Sequence, residues 1–250
     1  MISLTERERE VLQLLATDTA FSVSKISKQL SVSEVTIRNH LNSLAEKGFI
    51  VRTHGGAFPA FHESILERQK SEVEEKHKIA QAAAKLVGDT DRIMISAGTT
   101  TSVLMKNLLG KCDVHVVTNS TLLLPYVRVN PAIRVTFVAG EFIPSAEAIV
   151  GPLAIGVVSQ FHVKKAFVGA DGFSLENGAT AQLAGVAEVV RKMSEQAEET
   201  VLLLDSSKYG KKGFAQMMPV EQVDTIITGA QVSAEDKAAL EAKQVKLIQV

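Results

Sequence analysis

Apolar residues recur at helical spacing three times in the first fifty positions. Val11, Leu12, Leu14 and Leu15 fall within Thr5–Ala16. Val23, Ile26 and Leu30 form a second, shorter run, and Val35, Ile37, Leu41 and Leu44 a third. Thr5 with Glu8 three residues on is a capping box that starts the first helix. Between the second and third runs, Ser31-Val32-Ser33 is too short for a loop of any size, and Ser33 before Glu34 has the N-cap pattern. Two short helices joined this tightly cross at a steep angle, which is the geometry of a helix-turn-helix. The last helix ends at Gly48. Phe49 to His54 then reads as a strand that turns at Gly55-Gly56, adding a small β-wing.

The polar positions of the third run matter as much as the apolar ones. Thr36, Asn39, His40 and Ser43 fall on the face away from Ile37, Leu41 and Leu44, with Arg38 beside them. Such a face can donate to phosphates and read base edges in a major groove. Ser33 at the cap, with Arg52 and His54 on the wing, completes a candidate set for double-stranded operator DNA. The same residues would also suit the plain polar surface of a small helical domain.

Phe58-Pro59-Ala60-Phe61 breaks any helix and sets a domain boundary near residue 60, giving a reading head over 1–60. Glu63 to Val87 reads as one long helical segment, charged in its first half, with Ile79, Ala80, Ala83 and Leu86 on one face of its second. Residues 61–90 are therefore expected to form a linker that docks on the next domain and contributes a subunit contact. From 91 to 250 the period changes. Short apolar runs at Ile93–Ile95, Val114–Val117, Ile133–Val138, Ala166–Val168, Val201–Leu204, Ile226–Ile227 and Val245–Ile248 alternate with helical stretches. That alternation predicts a mainly parallel sheet covered by helices.

Ligands bind such sheets where strands end, and here the strand ends are polar. Ser96-Ala97-Gly98-Thr99-Thr100-Thr101 opens a helix as a ready anion site. Thr118-Asn119-Ser120, Ala139-Gly140-Glu141, Gly169-Ala170-Asp171-Gly172 and Asp205-Ser206-Ser207-Lys208 follow other strands. The predicted pocket takes a small polyhydroxylated anion. Lys208 faces a phosphate cradled by Gly98 and Thr99 to Thr101, Asp171 accepts from ligand hydroxyls, and Ser96, Asn119 and Ser120 complete the lining. Each turn taken alone would also serve as an ordinary helix cap.

Composition narrows the class. At 46% hydrophobic and 22% charged the 250-residue chain is ordinary for globular domains, and its length suits two of unequal size. A net charge of −1 argues against non-specific coating of nucleic acid. The acidic residues of the head gather toward the first helix and the basic ones toward the third helix and wing. One cysteine, Cys112, excludes an internal disulfide and a Cys-rich metal site, which fits a reducing cytoplasm. No apolar run approaches the ~18–20 residues of a membrane span, so no membrane partner is expected, and neither a cofactor nor a metal is called for.

The run V-S-E-V-T-I-R from Val32, then L-x-x-L-x-x-x-G from Leu41 and R-T-H-G-G-A from Arg52, resembles the DNA-binding end of DeoR-type transcriptional regulators. G-T-T-T at Gly98, T-N-S at Thr118, G-A-D-G at Gly169, A-E-V at Ala187 with Met193, and D-S-S-K at Asp205 resemble that family's sensor domain. The resemblance implies a repressor of carbohydrate uptake or catabolic genes, acting as a homo-oligomer and released by a phosphorylated sugar or related intermediate. It implies a sensor fold similar to ribose-5-phosphate isomerase. Four positions depart from the family pattern: His40 and Ser96 stand where acidic residues are usual, Gly140-Glu141 replaces paired glycines, and Thr228-Gly229 replaces Thr-Asp. The alternative is a sugar-phosphate isomerase-like enzyme fused to the head, with Asp171, Glu141 or Glu176 as base. Against it, Phe173 and Ser174 stand where the isomerases carry further acidic residues.

Overall fold

In the computed structural model residues 4–17, 22–52, 57–59 and 62–250 are described. The chain forms two compact units, Met1–Gln69 and Lys70–Val250. The first holds α1 (Glu6–Thr17), α2 (Val23–Leu30), α3 (Glu34–Glu46) and a hairpin of β1 (Ile50–Arg52) with β2 (Ala57–Pro59). Leu4, Val11, Leu12, Leu15, Val23, Ile26, Ile37, Leu41, Leu44, Ile50 and Ala57 close its core. Leu66 joins them from α4 (Glu63–Lys70), which is why the unit extends past residue 60. Three hydroxyls set the local turns. Thr5 accepts from the Glu8 N–H at 3.2 Å, Ser22 from Lys25 and Ser33 from Thr36. Between α2 and α3, Ser31 takes the left-handed conformation (φ 53°), and Ser27 donates to the Val32 carbonyl at 2.6 Å. This is the tight turn that the spacing predicts. Val35, part of the apolar run that marks α3, is 66% exposed.

The expected helix from Glu63 to Val87 is interrupted. It stops at Lys70 and resumes as α5 (Val73–Ala84), with Glu72 left-handed at φ 46°. At the break the Lys76 ammonium turns back to donate to the Ser71 carbonyl (2.7 Å) and hydroxyl (3.1 Å).

The second unit is built on seven parallel strands: β3 (Arg92–Ile95), β4 (Val114–Thr118), β5 (Ile133–Phe137), β8 (Val163–Gly169), β11 (Ala197–Leu204), β13 (Thr225–Thr228) and β14 (Lys246–Gln249). Their order across the sheet is β14-β13-β11-β8-β3-β4-β5, and they are the seven apolar runs of the sequence. Helices α5, α6 (Thr99–Asn107) and α7 (Leu124–Arg128) contribute to one hydrophobic cluster, with Ile79, Ala80 and Ala83 of α5 against Ile93, Ile95 and Phe167. Helices α8 (Pro152–Val158), α9 (Ala184–Glu195) and α10 (Ala234–Ala242) contribute to the other. α5 thus packs as a layer of the sheet domain.

Two antiparallel additions were not anticipated. They are the hairpin of β6 (Glu141–Ile143) and β7 (Ala148–Val150), and a three-stranded sheet of β9 (Gly172–Ser174), β10 (Gly178–Ala181) and β12 (Ala215–Met218). Both use strands of three or four residues, too short to show a period of two. Among the described residues no helix is long and apolar enough to cross a membrane.

Candidate functional site

In the first unit the outward face of α3 carries Val35, Arg38 and Asn39 exposed and Thr36 and His40 half-buried. Ser33 sits at the N-cap, its hydroxyl 2.8 Å from that of Thr36. Arg38 pairs with Glu34 one turn back at 3.2 Å, an exposed pair worth only ~0.3–0.5 kcal/mol and therefore readily exchanged for a phosphate. Arg52 reaches from the wing to donate to the Asn42 amide oxygen at 2.7 Å, which brings the wing cation to the flank of the helix. His54 lies outside the described residues.

Ser43 does not belong to this surface. Its hydroxyl donates to Glu8 of α1 at 2.6 Å, and Lys47 donates to the same carboxylate at 2.7 and 2.9 Å. Ser43 shares a helical face with Thr36, but α1 covers that face toward the helix's C-terminal end. Burial pushes the Glu8 carboxyl up, but hydrogen bonds from Lys47, Ser43 and Thr5 outweigh it and hold the group at about 2, against 4.5 when free. Because the folded value is the lower one, the stabilisation is complete above pH ~5 and is lost as pH falls from 4.5 through 2. After allowance for solvent screening this amounts to about 1–2 kcal/mol. Urea unfolding followed by circular dichroism should show the head losing that much between pH 5 and pH 2.5, with Glu8→Gln flat across the window.

In the second unit, the five strand ends that the sequence singles out belong to β11, β8, β3, β4 and β5. These are consecutive in the sheet and parallel, so their C-terminal ends share one edge. Much of their polarity holds the edge together. Ser96 is fully buried and its hydroxyl accepts from the Gly169 N–H at 3.1 Å. Thr101 donates to the carbonyls of Ser96 (2.7 Å) and Gly98 (2.9 Å). Asn119 accepts from the Ala97 N–H at 2.8 Å and donates to Ile149 at 3.2 Å. Asp171 accepts from the Gln182 N–H at 2.8 Å. Of the nine candidates, these four are engaged by the scaffold. Gly98, Thr99 and Thr100 open α6, Lys208 stands half-buried after β11, and Ser120 is buried with its hydroxyl unpaired.

Sequence reasoning missed two groups from α5 at this edge. Glu75 places one carboxylate oxygen 2.5 Å from the Ser206 N–H and 3.1 Å from the Gly229 N–H, and the other 2.6 Å from the Ser206 hydroxyl. Lys76, almost fully buried, stands 3.8 Å from the Asp205 carboxylate. Burial drives its ammonium below the ordinary value, Asp205 pulls it back up, and the charge of Lys208 pushes it down again. Two ammonium groups thus share the D-S-S-K loop. Nothing in the sequence separates Glu75 and Lys76 from the charged run around them. At the opposite edge a cleft of about 400 Å³ is lined by the starts of β3, β8 and β11, where Lys164 pairs with Asp91 at 3.2 Å.

Residues 7–59 match the DeoR-like helix-turn-helix domain, and residues 71–230 match the DeoR C terminal sensor domain. The chain belongs to the DeoR family of DNA-binding transcriptional regulators. It is 34% identical to the HTH-type transcriptional repressor GlcR of Bacillus subtilis, over 89% of this chain and 87% of that one. It is 30% identical to the lactose phosphotransferase system repressor of Streptococcus mutans, over 97% and 98%. Among solved structures it is similar to ribose 5-phosphate isomerase A of Methanocaldococcus jannaschii, with a TM-score of 0.41 and 20% identity over 56% of this chain and 55% of that one. In the DeoR regulator described here, the outward face of α3 and the polar sheet edge are the two surfaces left to be given roles.

Proposed function

We propose that this regulator represses a carbohydrate uptake or catabolism operon in the cytoplasm, and that a phosphorylated sugar or sugar alcohol bound at the sheet edge releases it from its operator. The observation that carries the reading is the convergence of five polar strand ends with two lysine ammonium groups on one edge. A phosphoester supplies the dianion for Lys208 and the turn at Gly98 to Thr100, and its hydroxyls suit the remaining oxygens. Operator contact falls to Ser33, Thr36, Arg38, Asn39, His40, Arg52 and His54, in a homo-oligomer that presents paired heads to repeated half-sites. Val35 joins this set, because an exposed aliphatic group at the start of a recognition helix suits a thymine methyl.

Binding without turnover is favoured by the surroundings of Asp171. Its carboxylate already accepts from Gln182, Phe173 is in the core, and the Ser174 hydroxyl accepts from Asn177. An isomerase assay on common sugar phosphates is expected to read background, and turnover lost on Asp171→Asn would reverse this choice.

The direct test is a thermal-shift screen with phosphorylated sugars and sugar alcohols, paired with operator release followed by fluorescence anisotropy. A ligand at about 100 times its Kd should stabilise the fold by ~2.7 kcal/mol. Lys208→Ala should lose most of that shift and blunt release while keeping operator affinity. A wild-type protein with no shift for any phosphorylated compound would sink the reading.

A further inference from the structure

The seven-stranded sheet has two lateral borders, β14 and β5, and among the described residues no strand pairs with the outer side of either. The bonds at the two ends of β5 fix which of its backbone groups face outward. The Val138 N–H donates to the Thr118 carbonyl, and the Ala132 carbonyl accepts from the Asp113 N–H, so Arg134 and Thr136 between them bond to β4. Ile133, Val135 and Phe137 therefore turn their N–H and C=O groups away from the sheet. Of these groups only the Ile133 N–H is bonded among the described residues, to the Asn130 carbonyl of the preceding turn. On β14, where Lys246 and Val250 bond to Asp224 and Thr228, the outward residues are Leu247 and Gln249.

The two borders differ in how they are guarded. β14 has exposed Lys246 and Gln249 at its ends, and charged or polar side chains on a border strand discourage pairing. β5 has one charge, Arg134, which is drawn back along its own sheet to Asp113 at 3.7 Å. Its other residues are Ile, Val, Thr and Phe, all of which suit paired strands. Such a strand is a template for another, and its own sequence fits it. Antiparallel pairing with a second β5 about Val135 sets Val135 against Val135 and Ile133 against Phe137, with outward groups on both sides. The Val135 residues exchange their bonds, and each Phe137 N–H reaches the partner's Ile133 carbonyl with no existing bond given up. Moving the register by two residues leaves Ile133 or Phe137 with nothing opposite. β-branched and aromatic residues facing across strands stabilise a sheet, and on the other face Arg134 meets Thr136, so no like charges oppose.

The packing continues to the same border. Ile133 and Val135 belong to the hydrophobic cluster that α7 covers, and α7 packs on β5. Leu124 at the start of α7 and Val129 just after it are exposed, Val129 by 68%. Leu109, also exposed, lies close by, because Asn130 donates to the Leu108 carbonyl at 3.4 Å. The apolar layer thus ends in aliphatic groups that face water beside an unpaired strand, the mark of an interaction surface.

We propose that β5 is a contact between two copies of this chain, whose strands pair antiparallel about Val135 and join the sheets of two sensor units into one. The inference rests on the homo-oligomer of the reading above and names its interface. Each copy uses the same strand, so the contact closes on itself and gives a dimer, not a fibre.

The test uses the full chain. Sedimentation velocity should show a dimer or a multiple of it. Residue-resolved hydrogen exchange should find the Val135 and Phe137 amides protected while the outward Leu247 amide of β14 exchanges fast. Val135→Pro should raise the dimer dissociation constant at least about 100-fold and keep the fold, because the N–H it removes bonds to nothing within one copy. Thr136→Lys, facing the partner's Arg134, should raise the constant about 10-fold, and adding Arg134→Glu should recover most of that loss. An oligomer whose Phe137 amide exchanges as fast as that of Leu247, and which Val135→Pro leaves whole, meets through another surface; that overturns the proposal and keeps the repressor reading. Protection of Phe137 that persists in a monomer means that the chain covers its own border, which overturns the proposal too. A monomer that saturates the operator overturns both the interface and the paired heads. Should Val135→Pro fail to fold, Thr136→Lys and its rescue decide alone.

Discussion

Gly229→Ala will detach the start of α5 from the sheet edge. An alanine Cβ at this position would lie 2.5 Å from Glu75 Cγ and 2.6 Å from its Cδ. Those atoms belong to the stem of the side chain, so a small rotation of the carboxylate does not relieve the overlap and the whole side chain must leave. Three bonds go with it, from the Ser206 N–H, the Ser206 hydroxyl and the Gly229 N–H. Hydrogen bonds to a charged acceptor contribute roughly 1.5–3 kcal/mol each. Ser206 is exposed and water will replace part of that, so the expected loss is about 2–3 kcal/mol for the sensor unit. For a unit of this size that lowers the melting temperature by about 5–10 °C.

A double-mutant cycle checks the cause. In a Glu75→Ala background the clash has nothing to hit, and Gly229→Ala should then cost less than about 0.5 kcal/mol. Equal cost in both backgrounds would mean that the glycine is needed for some other reason. The contact also joins the loop bearing Lys208 to a helix that begins just after the border between the units. The same variant should therefore bind effector with little change and release operator less completely, because the coupling free energy is what it removes.

The large features were legible because they repeat. Seven apolar runs separated by helical stretches leave few arrangements other than a parallel sheet, and Ile37, Leu41 and Leu44 fix the inward face of α3 by spacing alone. What could not be read depends on single side chains acting at a distance. The break at Ser71-Glu72, where Lys76 folds back on the carbonyl of Ser71, leaves no mark on the helical period. Ser43 has the helical phase of Thr36, and only the position of Glu8 on another helix tells the two apart. Val35 has the chemistry of a core residue and the position of a surface one.

The sheet edge shows a deeper ambiguity. Hydroxyls and amides that bind ligands are the same groups that cap helices and tie loops. Ser96, Thr101 and Asn119 are spent on the scaffold, whereas Ser120, four residues short of α7, is buried without a partner. Composition could mark the edge as polar. It could not divide the polar residues between structure and recognition.

Arg52→Ala and Arg38→Ala will each weaken operator binding about tenfold at 0.15 M salt, and together by about a hundredfold or more. Each arginine stands at the solvent face in a contact that DNA can replace, an Asn42 amide for one and the Glu34 carboxylate for the other. Neither is part of the core, so the head should unfold at an unchanged temperature. The form of the loss separates phosphate contacts from base reading. A side chain on a phosphate lowers the slope of log affinity against log salt by about one, and weakens all sequences alike. One that reads a base edge costs about 1–3 kcal/mol on the operator and little on unrelated DNA. Arg52, on the wing, is expected to behave in the first way, and Asn39, exposed on α3, in the second. Glu34→Gln supplies the control, since freeing Arg38 from its carboxylate should strengthen binding to all DNA by a few-fold. Neither arginine variant should alter the thermal shift produced by a phosphorylated sugar, whereas Lys208→Ala should remove most of that shift and keep operator affinity. Operator affinity that fell equally in the lysine and arginine variants would mean that the sheet edge itself meets DNA, and the division of labour between the two units would have to be abandoned.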